Sequence, residues 1–167
     1  LRMKTIIEDL LVFSRKDDSI QVLQQSLTDI VNKNIDLLQL QLKKENLKVV
    51  FNLPSEDIFH DISTLHFRNS IHLVFQFLLQ KLKVKKTNQA NFTGLVEVKI
   101  FQDQINSYLS FSSNLGPHAA QENTNDLTLI TLEKSLIDQG FQAVISEPKI
   151  SWIQVLFILP LRKPDLA

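Results

Sequence analysis

Between Thr64 and about Val84 the chain carries Leu65, Ile71, Val74, Leu78 and Leu82 at helical spacing, and Phe67, Phe75, Phe77 and Leu79 widen that stripe well beyond one face. A helix at a domain surface needs only a stripe. One this broadly apolar has to be covered, and a sheet is the element wide enough to cover it. The flanking sequence supplies the strands. Leu47, Val49, Phe51 and Leu53 alternate with Lys48 and Asn52 until Pro54, a period of two that predicts a strand with one buried face. Leu95 to Phe101 and Ile105 to Phe111 alternate around the polar turn Gln102-Asp103-Gln104, which predicts an antiparallel hairpin. Ala143–Ile145 and Trp152–Leu159 predict a second hairpin around Glu147-Pro148-Lys149.

Two further helices flank this set. Ser26 with Asp29 three residues on resembles a capping box, and Leu27, Val31, Ile35, Leu38 and Leu42 follow on one face until the charged turn Lys43-Lys44-Glu45-Asn46. Leu129, Leu132 and Leu136 make a later helix that Gly140 can close. At the start of the chain Met3, Ile6, Leu10 and Phe13, with Ile7 and Leu11 beside them, form the narrow seam of a helix that packs on another helix, and Arg15-Lys16-Asp17-Asp18-Ser19 is a polar break after it. The expected fold is an α+β two-layer sandwich. It has a mixed, mostly antiparallel sheet of about five strands, covered on one face by about three helices and preceded by a partial coiled-coil or bundle helix. A chain of 167 residues holds one such core comfortably, so residues 1–18 read as the end of a separate helical element and 19–167 as the domain.

Charge and composition exclude several functions. The 18 basic and 18 acidic residues cancel, which leaves no electrostatic footprint for nucleic acid or an anionic membrane. The absence of cysteine removes disulfides and thiolate metal sites and fits a cytoplasmic setting. The apolar run Leu73–Leu79 is far shorter than a membrane span and is interrupted by Gln76, and no signal peptide precedes it. No triad, carboxylate pair or nucleophile can be assembled from local spacing. Of the histidines, His66 and His72 are six apart on one helix and do not share a face, so they make a poor metal pair; His60 and His118 read as surface or half-buried residues. Lys81, Lys83, Lys85 and Lys86 suit the C-terminal end of a helix, where cations complement the dipole.

The element order helix, break, helix, strand, long helix, hairpin, helix, hairpin resembles a sensor histidine kinase with its GHKL-type ATPase domain. The stretch from Leu1-Arg2-Met3-Lys4-Thr5 through Asp9-Leu10-Leu11-Val12-Phe13-Ser14-Arg15 is similar to the end of that family's dimerisation hairpin. Val31 to Pro54 resembles the first helix and strand of its ATP-binding domain, and Ile158-Leu159-Pro160-Leu161 its last strand. The resemblance implies dimerisation through residues 1–18 and a degenerate ATPase domain over 19–167. None of the four histidines lies on the opening helix, where the family presents its phosphoacceptor.

The departures from the family's motifs concern nucleotide binding. Active members carry a pair of asparagines on the long helix, the second holding the magnesium that bridges the phosphates; the matching positions here are Phe77 and Lys81. An ammonium has donors and no lone pair for a cation. Where active members end a strand with Asp-x-Gly-x-Gly, the aspartate taking the adenine amino group, this chain has Ser112-Ser113-Asn114-Leu115-Gly116-Pro117. Ser113 stands at the aspartate and Leu115 and Pro117 at the glycines. His118 to Asn125 is too short for the family's lid, and Asp126-Leu127-Thr128-Leu129 replaces the glycine motif that cradles phosphates at a helix start, putting a negative charge where an anion should sit. The resemblance therefore implies a pseudokinase that binds neither ATP nor magnesium and acts in two-component-type signalling through a homodimer and a response regulator or similar protein. In this reading Phe77 plugs the space of an adenine. Two alternatives stand beside it: a phosphotransfer adaptor whose phosphoacceptor histidine precedes Leu1, and a divergent active kinase.

Overall fold

A computed structural model describes residues 22–116 and 127–161. The expected opening helix over 1–18 lies outside the described residues, as do Pro117, His118 and Asp126. Ten elements follow in order: β1 Val22–Ser26, α1 Leu27–Lys44, β2 Leu47–Asn52, β3 Phe59–Ser63, α2 Thr64–Asn88, β4 Gly94–Gln102, β5 Asn106–Ser113, α3 Leu127–Asp138, β6 Gln142–Ser146 and β7 Ile153–Pro160.

The main sheet has five strands in the order β2-β4-β5-β7-β6, with β2 parallel to β4 and the other neighbours antiparallel. That is the mixed, mostly antiparallel sheet the periodicities predict, packed with three helices. Its inner face carries Val96, Val98 and Ile100 of β4, Leu109 and Phe111 of β5, and Ile153, Val155, Phe157 and Leu159 of β7, all buried. The aromatic residues of α2 meet this face. Phe75 stands edge-on to Phe111 with ring centroids 5.7 Å apart, while Phe67 and Phe141 approach Phe157 at 6.4 and 6.0 Å. The edge-to-face pairs among these, Phe75–Phe111 and Phe141–Phe157, add to the burial of the rings themselves. The width of the α2 stripe thus has its cause in a cluster of phenylalanines drawn from α2, β5, β7 and the connection before β6.

Local signals set the helix ends. The Ser26 hydroxyl accepts from the Asp29 amide at 3.1 Å and donates to the Asp57 carboxylate at 2.6 Å, capping α1 and tying it to the loop before β3. The α3 helix ends as its glycine predicts. Gly140 has φ +85°, its N–H donates to the Ile137 carbonyl at 2.8 Å, and the Phe141 N–H reaches back to the Leu136 carbonyl at 3.3 Å, the two bonds of a Schellman cap.

Three details differ from the sequence expectations. Strands β1 and β3 form a separate antiparallel pair, Val22 opposite Ser63 and Ser26 opposite Phe59, which no alternation announced because Val22, Leu23 and Phe59 are exposed. Leu65 is 39 % exposed, whereas Phe67 in the same turn is buried against Phe157, so the covered face of α2 leaves Leu65 to the side. On β2 the buried face is confined to Leu47 and partly buried Val49 while Phe51 is 39 % exposed, because an edge strand has one neighbour and its side chains are less shielded.

The β4–β5 turn carries one pH-dependent feature. Asp103 accepts hydrogen bonds from the Tyr108 hydroxyl and from the amides of Asn106 and Ile105, each at 2.7 Å, and these hold its carboxyl below the ordinary value of 3.8. A depressed folded-state value means that the carboxylate stabilises the hairpin above the unfolded value, and that this contribution fades as pH falls through the lower, folded one. Wild type is therefore expected to melt above Asp103→Asn at neutral pH and to lose that advantage below about pH 4. An unchanged gap across the titration would remove the carboxylate from the turn's stability.

Candidate functional site

An open cleft lies between α2 and α3. Leu73, Gln76, Phe77 and Gln80 form one wall and Thr131, Leu132 and Ser135 the other, around an open cleft of about 350 Å³. Helical periodicity sets the lining. Gln76 and Gln80 are four residues apart, as are Thr131 and Ser135, so each helix turns an aligned polar pair to the cleft. Phe77 and Leu132, each 5 % exposed, form its apolar floor with half-buried Leu73. Among the described residues none that lines the cleft is charged. The Gln76 amide nitrogen lies 2.9 Å from His72 Nε2, on the same helix.

The residues singled out at nucleotide positions fall in two places. Phe77 is in the cleft, where it forms part of the apolar floor. Lys81 is one turn further along α2, half-buried, with its Nζ 5.6 Å from the Phe77 ring centroid. Ser113 and Leu115 belong to the core at the end of β5, 0 % and 2 % exposed, and the Ser113 hydroxyl is buried without a hydrogen-bond partner among the described residues. This end of β5 abuts the last turns of α2, where Lys85 Nζ approaches the Asn114 carbonyl at 3.5 Å.

Neighbouring residues of the same run have structural roles. Asn114 closes the β4–β5 pair: its side-chain oxygen accepts from the Leu95 amide at 2.8 Å and its side-chain nitrogen donates to the Thr93 carbonyl at 3.2 Å. Gly116 lies against the β6–β7 connection, donating its N–H to the Ser151 carbonyl at 3.1 Å. A Cβ on Gly116 would stand 2.5 Å from the backbone carbon and oxygen of Trp152. The glycine that survives in this motif is there to let two backbones touch.

The lysine cluster is engaged within the domain. Lys81 covers Phe77, Lys85 lies over Phe92 at 5.5 Å, and Lys86 donates to the Glu45 carbonyl. This matches a helix end that anchors itself to its surroundings. Among the described residues no group of three histidines or carboxylates could hold a metal. His66 serves α2 through its backbone amide, which donates to the capping Ser63 hydroxyl at 3.4 Å. Also among the described residues, no helix is long and apolar enough to cross a membrane.

The cleft's polar residues were not evident as a site from sequence. Gln76 reads there as a break in an apolar run; the available signal was its four-residue spacing from Gln80.

No protein-family model and no curated protein matches this sequence. Solved structures do. The nucleotide-free catalytic domain of histidine kinase ThkA superposes with a TM-score of 0.56 at 14 % identity, covering 83 % of this chain and 96 % of that domain. ThkA in complex with the response regulator TrrA gives 0.58 at 16 % identity over 95 % of this chain and 47 % of that one. The Acinetobacter baumannii histidine kinase AdeS gives 0.53 at 16 % identity over 94 % and 77 %. The fold of this chain is that of a histidine-kinase catalytic domain.

Proposed function

We propose that the domain is a pseudokinase module of two-component-type signalling, which binds neither ATP nor magnesium and works by contacts with other proteins. The observation that carries this reading is Lys81. At the helix position where active members of this fold place a metal-holding asparagine, its ammonium lies over the ring of Phe77, the residue at the first asparagine position. A cation on that spot repels magnesium and offers it no lone pair. Ser113 adds support from the other wall of a nucleotide site. Fully buried, its neutral hydroxyl replaces the carboxylate that would take an adenine amino group. The residues present do not fit a magnesium nucleotide, and no step of phosphoryl transfer follows from them.

In this reading residues 1–18 bring two copies together as the resemblance implies, and a response regulator is the expected partner class, as in the ThkA complex. The setting is cytoplasmic, alone or as part of a larger receptor. Isothermal calorimetry with magnesium and ATP tests the central claim. No saturable heat is expected up to millimolar ATP, and saturable binding in the micromolar range would falsify it.

A further inference from the structure

Resting on the reading that magnesium-ATP is not the ligand of this fold here, we propose that the α2–α3 cleft is a binding site for an uncharged, planar fused-ring compound. Its occupancy would set how α2 and α3 stand relative to each other. The lining selects this class. A volume of about 350 Å³ lies at the lower end of small-molecule sites and accommodates one fused-ring system. Leu73, Phe77 and Leu132 offer an apolar surface against which a ring can pack.

The polar groups define the ligand's edges. Gln76 and Gln80 on one wall and Thr131 and Ser135 on the other each both donate and accept hydrogen bonds. Two aligned pairs facing each other across an apolar floor suit a flat ligand with donors and acceptors on opposite edges. They suit an ion poorly: with no charged residue in the described lining, a charged ligand entering the cleft would give up hydration without a partner among those residues. The Lys81 ammonium, 5.6 Å from the Phe77 ring centroid, engages the floor's own ring. A ligand that touches both walls binds one spacing of the two helices better than another, so its binding biases the face that α3 presents.

The experiment is a titration of ¹⁵N-labelled protein with indole and with quinoxaline, each to a few millimolar, with indole-3-acetate as charged control and magnesium-ATP in a parallel series. Saturable shifts with at least one neutral ring, confined to the Gln76 and Gln80 side-chain amides and the facing turns of α2 and α3, are expected below about 1 mM. Indole-3-acetate should bind at least tenfold more weakly. Thr131→Trp, at an exposed rim position, should fill the cleft and abolish the shifts; Gln80→Ala, equally exposed, should weaken binding about threefold to tenfold with the melting temperature unchanged. Non-saturating or dispersed shifts, equal binding of the charged control, or binding that survives both substitutions would overturn the site. Saturation by magnesium-ATP would instead overturn the pseudokinase reading, whereas silence from every compound removes only the present inference.

Discussion

Phe157→Ala is expected to lower the stability of the domain by about 3–5 kcal/mol, the range for emptying a fully buried aromatic site. Phe157 is 0 % exposed and its ring meets three others, Phe67, Phe111 and Phe141, with centroids 6.4, 6.0 and 6.0 Å away. Its removal therefore costs the transfer of the ring and its edge-to-face contacts together. Domains of this size are stable by about 5–15 kcal/mol, so the loss consumes a large share and should appear as a fall in melting temperature of roughly 10–15 °C. Phe101→Ala gives the comparison. That ring stacks on Tyr108 at 4.8 Å but is 37 % exposed, and its loss should cost under about 1 kcal/mol. Urea denaturation of both variants measures the contrast; similar midpoints would mean that the phenylalanine cluster is not where the stability resides.

The second large effect is expected at Gly116→Ala, at about 2–3 kcal/mol, near the upper range for overpacking. The methyl group would meet backbone atoms of Trp152 at 2.5 Å, and backbone has no flexible end to swing aside. Gly140→Ala separates this cause from conformational strain. Gly140 has φ +85° with open space around its Cβ position, so its substitution should cost only about 1 kcal/mol. The single tryptophan reports the displacement directly: Trp152 is half-buried with Lys149 Nζ 4.1 Å from its ring, and its emission should shift in Gly116→Ala and stay put in Gly140→Ala. Equal stability of the two variants would show that the β6–β7 connection has slack.

The fold was legible wherever burial on one face imposed a period. Leu95 to Phe111 and Trp152 to Leu159 alternate because the inner face of the sheet is apolar and dry, and Ser26 and Gly140 mark helix ends because their backbone chemistry is local. The β1–β3 pair was not legible: its side chains are largely exposed, so no face selection acts on Val22, Leu23 or Phe59. The positions matched to the nucleotide motifs were read residue by residue, but their surroundings were not. Leu115 proves to be core, Phe77 part of the floor of the α2–α3 cleft, and Gly116 a contact point between backbones. The cleft itself depends on how far apart two helices pack, a distance that no single helix encodes. Only the spacing of Gln76 from Gln80 and of Thr131 from Ser135 hinted at it.

The one parallel pairing in the main sheet has a consequence in time. Leu47 pairs with Gly94, so β2 reaches β4 only after β3 and the whole of α2 have been laid between them, whereas β5 and β7 meet their hairpin partners across short turns. Closing the longer loop costs more chain entropy before any contact repays it. The hairpins can therefore nucleate on α2 while β2 is still searching, and the strand that arrives last is also held in the sheet by a single neighbour. In the native ensemble, opening should begin there, with α1 and β2 lifting from the sheet as a unit while the phenylalanine cluster stays closed.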